Sequence, residues 1–250
     1  MVAEGISLLF PVMNRTNVLI QSIPTWLESD SFSELIIVDW SSSEPIFTDP
    51  LTQNIINDPR VRIIRVENEP YFLSPSYAIN LGVSRASNKK ILKLDVDYKL
   101  INIDLFRFIN QISPLLKRSF FVTDFVFCKI TISIIGFILF NKDHFLAVNG
   151  YNENLKGWGY EDIDFYNRLS EVVQKNILSD LDSYIFHIPH EDSLRVANYI
   201  DKETPIIDNE RMNRVRAKGL FWTTPSSYNT IKTIYSSDNK VKCEFVERIK

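Results

Sequence analysis

Apolar runs and helical periodicities alternate through the first hundred residues. The run Ile6-Ser7-Leu8-Leu9-Phe10-Pro11-Val12 is nearly continuous in apolar character, as expected of a strand covered on both faces, and Asn14-Arg15-Thr16 follows as a polar turn. The same reasoning predicts a helix over 17–28, a strand over 34–38 running into Asp39-Trp40-Ser41-Ser42-Ser43, and a strand over 61–66. A helix over 76–87 and a fourth strand over 91–94, ending in Asp95-Val96-Asp97, complete the series. Strands alternating with helices predict an α/β fold with a mostly parallel, doubly wound sheet. Such sheets bind ligands beyond the carboxyl ends of their strands. Polar residues gather at those ends: Asn14 and Arg15, Asp39, then Asp95 and Asp97.

Past residue 100 the rhythm changes. A helix is expected over 104–116, two strands around a turn at 120–129 and 134–141, and a short helix over 143–148. The stretch Gly157-Trp158-Gly159-Tyr160-Glu161-Asp162-Ile163-Asp164 then opens a helix whose apolar stripe is Ile163, Tyr166, Leu169 and Val173. Acids at a helix start complement the macrodipole, which accounts for one or two of the three. The two glycines ask for a further reason, because glycine serves where backbone turns sharply or approaches a ligand. An indole between them suits a lid over a small polar substrate. A last strand is expected over 184–188, leading into His187-Ile188-Pro189-His190, and the chain beyond 192 is more polar.

Charge and cysteine content narrow the classes. The formal net charge is -3 over 250 residues, so no overall basic field draws the chain to nucleic acid. The two cysteines, Cys128 and Cys243, are isolated and suggest no disulfide framework, which favours a reducing, cytoplasmic compartment. The N-terminal residues lack the basic-then-apolar pattern of a signal peptide. The apolar stretch at 120–140 is interrupted by Asp124 and Lys129, so buried strands explain it better than a membrane span. Membrane contact is then at most peripheral, at the inner face.

Asp95 and Asp97 offer paired carboxylate oxygens of the kind divalent cations take, against the simpler reading of a solvated acidic turn. His187 and His190, two of three histidines in the chain, surround a proline after an apolar strand and suit manganese-like metals or form an edge pair without a ligand. Asp39 can accept from a base N–H or a ribose hydroxyl, or end its strand in a turn. Arg15 can hold a phosphate or cap the sheet edge. Asn80 and Gly82 can approach a nucleotide or merely end a helix.

With these residues in place, the chain resembles the inverting GT-A glycosyltransferases of the family 2 kind, and especially the branch of β-1,4-galactosyltransferases and bacterial chondroitin-type polymerases. The specific segments are Gly136-Phe137-Ile138-Leu139-Phe140-Asn141-Lys142, Asn149-Gly150-Tyr151, Gly157 to Asp164, and Asn167-Arg168-Leu169. More general ones are Phe10 to Arg15, Ile37-Val38-Asp39, Ala78 to Gly82 and Asp95-Val96-Asp97, so the likeness runs from about 6 to 190. It implies one GT-A domain over 1–250: a Rossmann-like nucleotide-sugar half over about 1–100, an acceptor half over about 101–195 and a C-terminal extension. It implies that Pro11, Asn14, Arg15, Asp39, Asn80 and Asp95 serve the nucleotide-sugar, and that Asp97, His187 and His190 lie in the metal-ligand region, with Mn²⁺ or Mg²⁺ as cofactor. Trp158, Tyr160 and Glu161 would face the acceptor, and Asp162 would be the base. The expected partners are a UDP-sugar donor, galactose-type favoured, and a glycan or lipid-linked glycan acceptor. Tyr160 and Ile163 depart from the galactosyltransferase run, which has a glycine and an acid there. The alternative from another class is a nucleotide-sugar- or glycan-binding module without turnover, distinguished by replacing Asp97 and Asp162. A nucleotidyltransferase would want a glycine-rich phosphate loop after the first strand, and 11–15 contain no glycine.

Overall fold

The computed structural model describes residues 5–71, 74–123, 134–191, 197–199, 224–238 and 240–249. In chain order the elements are β1 (Ile6–Val12), α1 (Thr16–Leu27), β2 (Glu34–Trp40), α2 (Gln53–Ile56), β3 (Val61–Glu67), α3 (Pro75–Arg85), β4 (Lys90–Lys93) and β5 (Tyr98–Leu100). There follow α4 (Asp104–Ile112), β6 (Ser119–Val122), β7 (Ile138–Asn141), α5 (Lys142–Ala147), α6 (Glu161–Ser170), β8 (Gln174–Ile177), β9 (Ile185–His187), β10 (Tyr228–Tyr235) and β11 (Val241–Arg248). The main sheet has nine strands in the order β10-β11-β3-β2-β1-β4-β7-β6-β8, and β5 pairs with β9 in a small second sheet. Strands β11, β3, β2, β1 and β4 run parallel to their neighbours in that series; β7 is antiparallel to β4 and to β6.

The apolar runs are continuous because the sheet is covered on both sides. Leu8, Phe10, Ile37 and Leu92 belong to one buried cluster with Trp26 and Phe106. Their alternates Leu9, Ile36, Val38 and Ile91 belong to the other, with Ala78, Ile79 and Phe165. Alternation along each strand feeds two cores, so neither face can be polar. Gly82 on α3 lies against β1: a Cβ there would come within 2.3 Å of a Leu9 methyl. Its use is close helix-on-sheet packing and not an approach to a ligand.

Several boundaries shift. The helix expected over 104–116 is α-helical only to Ile112 and tightens into a 3-10 turn at Ser113–Lys117, where Pro114 enters. Helix α6 stops at Ser170, so Val172 and Val173 lie beyond it, and Ile163 is turned outward, 42% exposed, off the core stripe. Strand β6 ends at Val122; residues 124–129 of the strand expected over 120–129, with Cys128, lie outside the described residues. Strands β5, β8, β10 and β11 lie outside the elements that the sequence pattern predicts. β10 is mostly exposed and β8 largely so, leaving little apolar periodicity to read. Strand β11 joins the sheet through β3, and its Glu244 takes Arg62, Arg85 and the Thr230 hydroxyl, a pairing spread across 182 positions of sequence. No helix among the described residues is long and apolar enough to cross a membrane.

Candidate active site

The carboxyl ends of β1 and β4, the β5–β9 ribbon and the start of α6 surround one cavity of about 570 Å³, within the usual size of small-molecule sites. Pro11 and Arg15 come from the end of β1, Lys93, Asp95 and Asp97 from β4 and the turn after it. His187 and His190 come from β9 and its exit, and Trp158, Tyr160, Glu161, Asp162 and Ile163 from the glycine-flanked loop and first turn of α6. Ribbon pairing assembles one corner: Tyr98 stands opposite His187, and Ile188 N–H donates to the Asp97 carbonyl at 2.8 Å.

Asp95 and Asp97 serve different clusters. Asp97 Oδ2 accepts from Arg15 Nη1 at 3.1 Å and meets His190 Nε2 at 3.0 Å and His187 Nε2 at 3.8 Å. Burial alone would raise its pKa, but the His190 hydrogen bond, His187 and Arg15 outweigh it and hold the carboxyl below its ordinary value. The same hydrogen bond raises His190. Ligand atoms of Asp97, His187 and His190 lie within 4.8 Å of one another. Among the described residues, the buried Asp97 Oδ1 and Arg15 Nη2 have no hydrogen-bond partner. A buried carboxylate oxygen left unpaired is costly unless something positive satisfies it. One carboxylate and two imidazoles make a donor set that fits a manganese-like cation.

Asp95 turns the other way. Lys93 Nζ stands 3.0 Å from Asp95 Oδ1 and 3.3 Å from both oxygens of Asp162. Burial would lower the Lys93 pKa, yet Asp162 and Asp95 together raise it. Asp162 Oδ1 also accepts from the Tyr151 hydroxyl at 2.7 Å. The helix dipole alone would hold Asp162 below the ordinary carboxylate value, and its surroundings reverse that. Burial raises its pKa, with Asp95 adding and Lys93 and Tyr151 opposing. Dipole effects at a helix start are worth at most about 2 kcal/mol, less than desolvation of a carboxylate can cost. Glu161 is buried and accepts from Gly159 N–H at 2.9 Å; burial and the neighbouring Asp162 push it up to about 8.

The loop before α6 is wound left-handedly at Gly157, Gly159 and Tyr160, with φ of +82°, +108° and +65°. Glycine takes such angles freely; Tyr160 carries strain of roughly 1 kcal/mol or more. Asp164, the third acid, is structural. It grips Arg168 at 2.8 Å, and Arg168 Nη1 donates to the Val148 carbonyl at 2.6 Å.

Three residues expected at the nucleotide are not on the cavity wall. Asp39 is fully buried, accepting from Ser42 N, Ile46 N and Arg65 Nη1, so its carboxylate shapes the loop after β2. Asn14 accepts from Ser43 and donates to Asn198. Asn80 clamps Tyr151, donating to its carbonyl at 2.9 Å and accepting from its N–H at 2.8 Å, and donates to Glu153. Conversely, Lys93, Tyr98 and Tyr199 line the cavity outside the residues the sequence points to, as does Gly136, which the sequence offers only as part of a family segment. The available signal was Lys93 itself, a charge inside the apolar run Ile91-Leu92-Lys93-Leu94. A Cβ on Gly136 would strike the Asp95 carboxylate at 2.0 Å.

Residues 119–191 match the family described as the N-terminal domain of galactosyltransferase. A sequence comparison with curated proteins finds no match. Among solved structures, the catalytic domain of Drosophila β1,4-galactosyltransferase 7 in complex with xylobiose is similar with a TM-score of 0.63 at 18% identity, over 99% of this chain and 94% of that one. S. aureus TarS 1-349 in complex with UDP-GlcNAc gives 0.62 at 13%, over 84% and 66%. The mannosyltransferase PcManGT from Pyrobaculum calidifontis, in complex with GDP-Man and Mn²⁺, gives 0.58 at 12%, over 71% and 55%. The chain has the GT-A fold, and residues 119–191 resemble the galactosyltransferase branch.

Proposed function

We propose that this chain is a metal-dependent inverting glycosyltransferase moving a hexose or N-acetylhexosamine, galactose-type favoured, from a UDP-sugar to a hydroxyl of a glycan or lipid-linked glycan. The carrying observation is one cavity with a carboxylate–histidine triad at one end and a half-buried, lysine-paired carboxylate on a helix start in its wall. The similar structures solved with UDP-GlcNAc, with GDP-Man and Mn²⁺, and with manganese, UDP-Gal and xylobiose support it.

In this reading Pro11, Arg15 and Asp95 receive the donor, and the Arg15 Nη2, buried without a partner among the described residues, would donate to a diphosphate oxygen. Asp97, His187 and His190 would hold Mn²⁺ or Mg²⁺, which when bound would supply positive charge to offset that on the departing UDP. Asp162 takes the acceptor hydroxyl proton as the glycosidic bond forms, and a single base acting in one displacement inverts the anomeric centre. Trp158, on the loop over the donor, Tyr160 and Glu161 face the acceptor; Ile163 presents an apolar wall there.

A hydrolysis and transfer screen of UDP-galactose, UDP-N-acetylgalactosamine and UDP-glucose, with manganese and with chelator, tests the assignment. We expect metal-dependent turnover of at least one donor, inverted product by NMR, and loss of metal-dependent UDP binding in Asp97→Ala by calorimetry. Turnover of no nucleotide sugar, or equal UDP affinity in chelator and manganese, would overturn it.

A further inference from the structure

Lys93 is a cation without solvent. It is 2% exposed, in an interior strand, between Leu92 and Leu94 at 0%. Its ammonium reaches Asp95 on one side and Asp162 on the other. A methionine would fill such a position at no electrostatic cost, whereas a buried ammonium is tolerated only when paired. The pairing is symmetrical toward Asp162, 3.3 Å to each oxygen, while Tyr151 hydroxyl takes Oδ1 from another direction. Tyr151 is itself immobilised by Asn80 and by stacking on Phe165 with ring centroids 4.2 Å apart. The carboxylate is thereby fixed in angle by two groups on two separate elements.

We propose that Lys93 is a positioning residue which locks the Asp162 carboxylate to Asp95, keeping the base ionised and aligned with the donor side of the cavity. The proposal rests on the glycosyltransferase reading for its kinetic consequence and on geometry alone for its electrostatic one. Asp162 is faced by Lys93 from β4, Asp95 beyond it, Tyr98 from β5, Tyr151 from the loop before α6, Glu161 and Tyr166 from α6, and Tyr199 from the segment after His190. Of these groups Lys93 alone is cationic. Removing it leaves Asp162, half-buried, among acids and phenols, and proton uptake there becomes easier.

The test is the pH profile of kcat in wild type, Lys93→Gln, Lys93→Met and Lys93→Arg. An opposite charge within about 4–6 Å is worth one to three pH units to a carboxylate. The acidic limb in Lys93→Gln and Lys93→Met is therefore expected to move up by about one pH unit or more, with turnover recovering at alkaline pH. Lys93→Arg, which keeps the charge, should move the limb back toward wild type. A uniform loss at every pH with the limb unmoved would make Lys93 a packing residue and overturn the proposal, as would unchanged kinetics. Carbon-13 NMR titration of the Asp162 carboxyl in wild type and Lys93→Gln gives the same comparison without turnover. If no nucleotide sugar reacts, the functional reading fails while this titration still decides for or against Lys93; an unmoved titration overturns it even in an active enzyme.

Discussion

Glu161→Gln should make the protein more stable at alkaline pH while weakening its site. Glu161 is buried, accepts one N–H from Gly159 and sits beside Asp162, and its pKa rises from 4.5 to about 8. We place the retained proton of this pair on Glu161, because Asp162 has both Lys93 and the Tyr151 hydroxyl to support its charge. A carboxyl raised on folding binds more protons in the folded chain than in the unfolded one between those two values. Stability is thus fully present below about 4.5 and is lost as pH rises through about 8. At 1.36 kcal/mol per pH unit the interval sets a ceiling of about 5 kcal/mol on that loss. Glutamine retains an acceptor for Gly159 and cannot ionise, so it escapes the penalty. Denaturant unfolding at pH 5 and pH 9 should show the two proteins nearly equal at the lower pH and the variant more stable by roughly 3–5 kcal/mol at the higher. A difference that does not change with pH, or a wild type that gains on the variant as pH rises, would refute the reasoning. The variant should also raise the acceptor KM more than it lowers kcat, if Glu161 holds the acceptor.

Asp162→Asn keeps shape and removes basicity; kcat should fall by roughly 10²–10⁴ while UDP affinity by calorimetry is unchanged, and near-normal turnover would remove Asp162 from the chemistry. Asn80→Ala deletes three buried hydrogen bonds and leaves the Tyr151 N–H unpaired, so thermal or denaturant unfolding should show a loss of about 2–4 kcal/mol with donor KM unaltered. A raised donor KM with unchanged stability would return Asn80 to the nucleotide.

The alternation of strands and helices over the first hundred residues was legible because the sheet is covered on both faces, which writes each interior strand as an unbroken apolar run. The start of α6 was equally legible, since two glycines around Trp158 mark backbone that only left-handed angles can build. Also readable were Asp97, His187 and His190 as a candidate ligand set, which β5 and β9 bring within 4.8 Å. Tertiary structure decided the rest. Asp39 and Asn80 sit at strand-end and helix positions that suit a ligand, and nothing in their spacing tells that Arg65 and Tyr151 would claim them first. The β10–β11 hairpin was hidden because β10 is exposed and the hairpin's anchor is a parallel pairing with β3, set by Glu244 meeting Arg62 and Arg85 far away in the chain. The ionisation of Asp162 and Glu161 was beyond sequence as well: a helix start alone lowers a carboxyl, and only the burial and the charges brought by β4 and the preceding loop turn that shift around.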